Sequence, residues 1–311
     1  MSEEDSGNPA VRLPNELSFD LDFPPLPRTM AEVTELVEDP DQDKPISVLK
    51  EIVASDPVVA PMVIQRVNSA FYGLRKRVET ADQAVVLLGF EEVHRLVVTA
   101  SLINLRSLFE ADAHLVVYRQ IMRQSIATAL FARLLAEELH LPRGEMAYTA
   151  GLLHAVGRLV LLYNVPESYE ALWGSSGDRQ VPSAEDERAI FGSDYASLGA
   201  AGAEHWNLSS DLRDLIQHHP RPDRFAEEIP EEDEERADLV PLVRALRAAR
   251  DLSAPYARIL DEEVEEEDLE APESLERLLE HRFTSTGQLM NRVAERREEI
   301  GEFVRMVLRQ R

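Results

Sequence analysis

The sequence predicts an all-α fold, and two observations indicate this class. Of the 311 residues, 44% are apolar but only 6% are aromatic. Such a composition suits close-packed helices better than strands, which favour aromatic and β-branched side chains. Apolar residues also recur at helical spacing, whereas no alternating strand pattern of any length appears. We therefore expect helices packed on helices around one large core.

Short helices are predicted in succession near the N-terminus. Met30, Val33 and Val37 repeat at helical spacing after a proline-rich segment. Pro45 begins a second helix, and the pair Asp56-Pro57 supplies the cap and the first turn of a third. These helices are expected to stack on one another.

Longer helices are predicted in the middle of the chain. Thr80 and Gln83 form a capping box at the start of one of them. A long amphipathic helix follows, and the segment AYTAGLLHAVGRLVLLYN forms a second long element in which Gly157 is a weak point. We expect these two long elements to pack through the centre of the core.

The two ends of the chain differ from its centre in composition. Residues 1–18 are polar and are expected to form a disordered lead-in. Residues 226–311 contain strongly acidic runs, which we interpret as solvated connectors, and further helices. Those helices could pack on the chain's own core or on a partner, and the sequence leaves both open. The main domain is predicted to span residues 19–225.

Charge and composition exclude several classes of function. A net charge of -25 disfavours nucleic acid and anionic membranes as partners. The first residues lack the basic and apolar stretches of a secretory signal. The longest apolar runs fall short of the roughly 20 residues that cross a bilayer. Because the sequence contains no cysteine, we expect a cytoplasmic protein.

Three histidines and one aspartate follow each other in an informative order. His154 lies within an apolar helix, the pair His218-His219 ends a later helix, and Asp251 comes last. This order, with the blocks IVASDPVVAPMVIQRVNSAFYG, AGLLHAVGRLVL and EHWNLSSDLRDLIQHHPRP, resembles the HDOD domain family. That family is a degenerate, non-catalytic subgroup of the HD superfamily of metal-dependent phosphohydrolases. The resemblance implies short N-terminal helices packed on a degenerate HD-type helical core.

The resemblance also implies a damaged metal site. HD enzymes hold divalent cations with an early His, an adjacent His-Asp pair and a late Asp. In this sequence the pair reads His154-Ala155, Gln124 stands at the early position, and Tyr195 stands where related sequences often carry His. The vestigial HD positions are Gln124, His154, Ala155, Tyr195, His218, His219 and Asp251. We expect no catalytic residue, no bound metal and no cofactor, because two ligands are missing.

Ordinary structural roles also explain these residues. His154 is interpreted as a buried histidine that is hydrogen-bonded to a neighbouring helix. His218 and His219 lie at a helix C-terminus, where the partial negative charge suits imidazole. Asp251 is interpreted as a helix-end residue.

A basic segment is the second candidate site. Positive charge concentrates at Arg66, Arg75, Lys76, Arg77, His94 and Arg95. Within this set, the run Arg75, Lys76 and Arg77 is the candidate for binding a partner, because a cationic patch on an acidic chain attracts acidic surfaces. The alternative is a solvated face that balances nearby carboxylates.

Three hypotheses for the function follow. The leading one is a non-catalytic regulatory protein of bacterial signal transduction, which binds other signalling proteins of unknown identity and which could form homo-oligomers. The second is a receptor that binds a nucleotide or cyclic dinucleotide without hydrolysing it. The third is a residual metal-dependent phosphohydrolase, against which Gln124 and Ala155 stand.

Overall fold

The computed structural model describes residues 21–25, 30, 32–34, 46–56, 59–176, 181–230, 232–258, 270–280 and 284–308. All regular structure in these ranges is helical, so the predicted all-α class is confirmed. The predicted lead-in at 1–18 and the acidic run at 262–268 lie outside the described residues.

The N-terminal helices pack on one long, bent helix. They are α1 (Ile46–Ser55), α2 (Val59–Val67) and α3 (Ala81–Asn104), with 3-10 turns at Ala70–Tyr72 and Leu105–Leu108. Both α1 and α2 contact α3. The Thr80 hydroxyl accepts the Gln83 N–H at 3.4 Å and caps α3, which is one of the two bonds of the predicted capping box. At Gly89 the backbone has φ 78°, and this left-handed residue bends the helix.

The core is built around α4 (Asp112–Glu138). Three helices follow it: α5 (Gly144–Leu153), α6 (Val156–Asn164) and α7 (Pro166–Ser175). Extensive contacts join α5 to α4. The predicted second long element is therefore two helices, because His154 and Ala155 form a turn between α5 and α6.

One segment among the described residues, Gly144–Asn164, is long and apolar enough to pass for a membrane span. Its 21 residues exceed the length that we expected of any apolar run. The most apolar part of this segment is 94% buried inside the protein. Its place in the core explains its composition.

The second half of the fold adds helices around α4 and α6. They are α8 (Ala184–Phe191), α9 (Tyr195–His205), α10 (Ser210–His218), α11 (Pro222–Glu228), α12 (Glu234–Ala237), α13 (Val240–Leu252), α14 (Ala254–Arg258), α15 (Glu273–Leu279) and α16 (Thr286–Leu308). The first acidic run is partly helical, because the Asp233 carboxylate accepts the Arg236 N–H at 3.1 Å and caps α12.

Gly157 is a point of close packing and not the predicted weak point. A Cβ at this position would lie 2.1 Å from the Tyr195 carbonyl oxygen and 2.7 Å from the Gly199 nitrogen. Real Cβ atoms do not approach other atoms so closely. Only glycine therefore allows α6 and α9 to pack at this distance.

The C-terminal helices pack on the chain's own core. Both α13 and α16 contact α4. The apolar face of α16 is buried through Leu289, Val293, Ile300, Phe303, Val304 and Val307. These side chains belong to the same hydrophobic cluster as those of α1 to α4.

Half of the predicted basic segment is buried. Arg66 is 5% exposed, and its Nε donates to Glu92 at 2.5 Å while its Nη2 lies 3.3 Å from Glu299. Arg95 is also buried, contacts Glu92 and donates to Glu145 at 2.6 Å. These ion pairs join α2, α3, α5 and α16, so they are structural contacts.

His94 is fully buried as well, with its Nδ1 3.6 Å from Glu145. Of the predicted set, the exposed residues are therefore Arg75, Lys76 and Arg77.

A side chain closes the loop that carries these three exposed residues. The Asn68 amide oxygen accepts the Val78 N–H at 2.8 Å, and the amide nitrogen donates to the Val78 and Ile64 carbonyl oxygens at 2.8 Å. Both ends of the loop are thereby joined, and Gly73 turns the chain with φ 54°.

Candidate functional site

Two histidines each follow the end of a core helix by one residue. His154 is fully buried after α5, and its Nδ1 lies 2.7 Å from the Gly151 carbonyl oxygen. His219 is fully buried after α10, and its Nδ1 lies 2.8 Å from the Ile216 carbonyl oxygen. A carbonyl can only accept, so each ring carries its proton on Nδ1 and leaves a lone pair on Nε2. His154 therefore bonds to its own helix and not to a neighbouring one.

The two rings and one tyrosine form a buried cluster. The ring centroids of His154 and His219 are 5.5 Å apart at 82°. The Tyr195 hydroxyl lies 3.2 Å from His219 Nε2 and donates to its lone pair. Three vestigial HD positions are thus in contact, and the hydroxyl occupies one of the two imidazole lone pairs.

Burial determines the charge of both histidines. Burial lowers the pKa of His154 to about 3; the bond to Gly151 opposes this shift, and Arg250 and Arg158 add to it. Burial also holds the pKa of His219 well below its usual range, with further lowering by His154 and Arg250. The expected benefit of a helix C-terminus for His219 is therefore outweighed by desolvation, and both rings are neutral at pH 7.

Two arginines lie beside the same tyrosine. The guanidinium carbons of Arg158 and Arg250 are 4.2 and 5.7 Å from the centroid of the Tyr195 ring. Arg158 is 1% exposed and donates through Nε to Glu187 at 3.1 Å. Positive charge at these positions would repel a divalent cation.

Gln124 and Ala155 occupy buried positions without offering an anionic ligand. Ala155 is 1% exposed and presents only a methyl group. Gln124 lies on α4, and its Oε1 makes no hydrogen bond with the described residues. Neither residue supplies the negative charge that a hard cation favours.

Asp251 and His218 have partners outside the histidine cluster. Asp251 Oδ2 accepts from Arg247 Nε at 2.8 Å and from the Ser274 hydroxyl at 2.7 Å, and Arg250 lies 3.7 Å from Oδ1. His218 stacks on Phe225 at 4.6 Å, and burial lowers its pKa.

These residues do not fit the metal centre that the HD resemblance would imply. One carboxylate position is a methyl group, the late aspartate is bound by arginines, and two arginines lie beside the cluster. Within the ranges that the structure describes, no group of three or more His, Asp or Glu side chains is arranged to hold a metal ion.

A buried ion pair beside the cluster was not predicted from the sequence. Glu187 accepts from Arg158, from the Tyr169 hydroxyl at 2.9 Å and from the Tyr195 N–H at 2.7 Å. A signal was present, because Arg158 follows His154 by four residues on an apolar helix. A charge at such a position needs a buried partner.

Solved structures with related folds cover nearly the whole chain. A crystal structure of an HDOD domain protein of unknown function from Geobacter sulfurreducens has a TM-score of 0.71 at 19% identity, covering 92% of this chain and 93% of that one. A protein from Shewanella amazonensis SB2B that is provisionally named a phosphohydrolase gives 0.65 at 22% identity, covering 92% and 95%. One from Marinobacter aquaeolei VT8, provisionally named a signal transduction protein, gives 0.64 at 20% identity, covering 93% and 60%. At these identities the similarity shows the fold.

Sequence comparison identifies the family. An uncharacterized protein of Treponema pallidum (strain Nichols) is 26% identical over 203 residues, which are 64% of this chain and 37% of that protein. This chain thus matches little more than a third of its curated relative. The model of the HDOD domain family matches residues 23–222, well over half of the sequence. The resemblance seen in the sequence is confirmed, and the chain belongs to the HDOD domain family.

Proposed function

We propose that this protein is a non-catalytic regulatory module of bacterial signalling, which acts by binding other signalling proteins. The observation that carries the proposal is the filling of the vestigial HD positions. Ala155 presents a methyl group, Tyr195 donates to His219, and Asp251 is bound by Arg247 and Ser274. A chain with these contacts has a stable buried core at the place where a hydrolase needs open ligands.

The exposed loop at 75–77 is the proposed binding surface. Arg75, Lys76 and Arg77 are all exposed, in a chain with a net charge of -25. Local positive charge on an acidic protein steers acidic partners toward that surface. The partner is therefore expected to present carboxylates. The proposal includes a cytoplasmic location, which the absence of cysteine supports.

Charge reversal at the loop tests the proposal. Partners captured by the wild-type protein from lysate would be identified by mass spectrometry, and association rates would then be measured with the purified partner. Replacing Arg75, Lys76 and Arg77 with Glu should slow association by about tenfold at low salt and weaken its salt dependence. The melting temperature should stay near the wild-type value, because the three side chains are exposed.

A control of equal charge change distinguishes steering from net charge. Arg213 is half-buried, Arg292 and Arg296 are exposed, and all three lie elsewhere on the surface. Their joint replacement with Glu should leave the association rate close to that of the wild type. If both triple variants slow association equally, the interface does not lie at the loop.

A further inference from the structure

A cleft of about 490 Å³ near the C-terminal end of α10 contains a concentration of arginines. Its arginines come from the α11 region, from α13 and from α15: Arg221, Arg224, Arg244, Arg247 and Arg277. Three carboxylates line the same cleft, those of Asp223, Asp251 and Glu273. We call this cleft the arginine cleft.

Cations exceed anions in the arginine cleft. Arg224 is held at its rim by Glu228, with 2.7 Å between Nε and Oε1. Even with Glu228 counted, five arginines face four carboxylates. A local surplus of positive charge is unusual in a chain whose net charge is -25. The surplus favours an anionic ligand.

Four of the five guanidinium groups already have carboxylate partners. Asp223 accepts from Arg244 at 3.1 Å and from Arg277 at 3.4 Å, one on each oxygen. Arg247 donates to the Pro220 carbonyl oxygen at 2.7 Å and to Asp251 at 2.8 Å. A ligand would thus meet donors that need little rearrangement, and such preorganisation favours binding.

Two arginines retain unused donors. The Nε of Arg244 is buried and has no hydrogen-bond partner among the described residues. A buried donor without an acceptor costs free energy. Arg221 is exposed and makes no ion pair within the described ranges. Both residues line the same cleft.

We propose that the arginine cleft binds a small molecule that carries two or more phosphate groups. Guanidinium groups match phosphate oxygens through paired N–H donors. Donors on separate helices suit a ligand with more than one phosphate. The volume lies in the range of small-molecule pockets, which is about 300–1,000 Å³. This inference is independent of partner binding at residues 75–77.

Titration calorimetry with sodium tripolyphosphate at constant ionic strength tests the assignment, with sulfate as a second ligand. Arg244→Gln should weaken tripolyphosphate binding by about tenfold, the loss expected for one charged hydrogen bond. Arg221→Gln should weaken it to a smaller extent. The Arg221 variant breaks no described ion pair, so it keeps the test decisive if Arg244→Gln fails to fold.

Arg292→Gln is the matched control, because Arg292 is an exposed arginine on α16 outside the cleft. It should bind tripolyphosphate as the wild type does, and so should the loop variant with Glu at 75–77. Failure to see saturable binding, equal affinity for sulfate, or equal weakening in Arg292→Gln would each overturn the proposal. Binding only of phosphorylated peptides would assign the cleft to a protein partner and would also overturn it.

Discussion

Two neutral histidines lie in contact at the centre of the helical core, and both carry their proton on Nδ1. His219 has a donor for its Nε2 in Tyr195, whereas His154 Nε2 has no hydrogen-bond partner among the described residues. An imidazole in this state resists protonation, because the charged form would be both desolvated and close to Arg158 and Arg250. Because protonating these buried rings costs free energy, the stability of the whole fold depends on their remaining neutral.

Acid should destabilise the protein through these histidines. The pKa of His154 is lowered to about 3 in the folded state, so the unfolded chain binds more protons below about pH 6.5. Stability is thus present above that pH and is lost as the pH falls toward 3. Between pH 7 and pH 5 the loss for one such histidine is about 2 kcal/mol. Urea unfolding at both pH values measures it.

The variant His154→Gln should remove the part of the acid-induced loss of stability that comes from His154. The part that comes from His219 should remain. His140→Asn is the matched control, since His140 is an exposed histidine with φ 51°, a conformation that asparagine tolerates. Its pH dependence should equal that of the wild type. An unchanged pH dependence in His154→Gln would contradict the role assigned to this ring.

Restoring the two missing ligands tests the proposal that the vestigial HD positions do not hold a metal. Gln124→His together with Ala155→Asp should increase the manganese retained after dialysis, measured by mass spectrometry of the metal content. Each single change should do much less, because binding needs a nearly full ligand set. The wild-type protein should not hydrolyse nucleotides. Stoichiometric metal in the wild type, with turnover abolished by His154→Ala, would contradict this account.

At the scale of elements, the close packing of α6 against α9 depends on the absence of a Cβ atom in glycine. Gly157 and Gly199 lie at the contact, and the Gly157 position faces backbone atoms of α9. Backbone atoms cannot move aside as a flexible side chain can. The arrangement matters for the candidate site, because α9 carries Tyr195 and α6 begins two residues after His154.

Two glycine substitutions should have opposite effects. Gly157→Ala should destabilise the fold by about 3 kcal/mol or more, because its Cβ would overlap the Tyr195 carbonyl. Gly174→Ala is the matched control: Gly174 lies in α7, and no atom is within 4 Å of the added Cβ. It should stabilise the fold by up to about 1 kcal/mol through helix propensity. The urea unfolding midpoints of the two variants would be compared. Equal midpoints would contradict the packing account.

The helices themselves were predictable because their signals are local. The Thr80 cap and the apolar spacing of α16 are both contained within a few turns of the sequence. The environment of Arg66 was not predictable in this way. Its carboxylate partners lie 26 and 233 residues away along the chain. Nothing near Arg66 in the sequence shows that these residues meet, so it was expected at the surface.

The same difference between local signals and long-range contacts applies to the candidate site. The family resemblance singled out His154, Tyr195 and His219 in the sequence, and the structure brings them together. The arginine cleft was missed, because its residues come from separate helices. One local signal existed, since Arg244, Arg247 and Asp251 share a helical face at three- and four-residue spacing.

At the scale of the whole molecule, the fold extends beyond the segment that the family model matches. That segment ends at residue 222, whereas α13, α14 and α16 cover α4. The Geobacter sulfurreducens structure also covers 92% of the chain. The C-terminal helices are therefore part of the same folding unit as the helices that define the family.

A fragment of residues 19–225 should not fold independently. Without α13 and α16, the apolar surface of α4 would be exposed to water, which is the main loss of stabilisation expected. The fragment should aggregate or bind a hydrophobic dye, and it should lack a cooperative melting transition. A fragment of residues 19–308 is the control and should melt like the full chain. Cooperative melting of the shorter fragment would contradict the shared core.

The side chain of Asn68 gives the loop at 69–77 a property that bears on recognition. Free loops lose conformational entropy when a partner immobilises them, at about 1–2 kcal/mol for each residue fixed. Here the amide of Asn68, which precedes the loop, already bonds to Val78 at the other end and to Ile64 in α2. Much of this conformational entropy is therefore lost already when the chain folds, before a partner binds. A partner that docks on Arg75, Lys76 and Arg77 would have to order mainly their side chains.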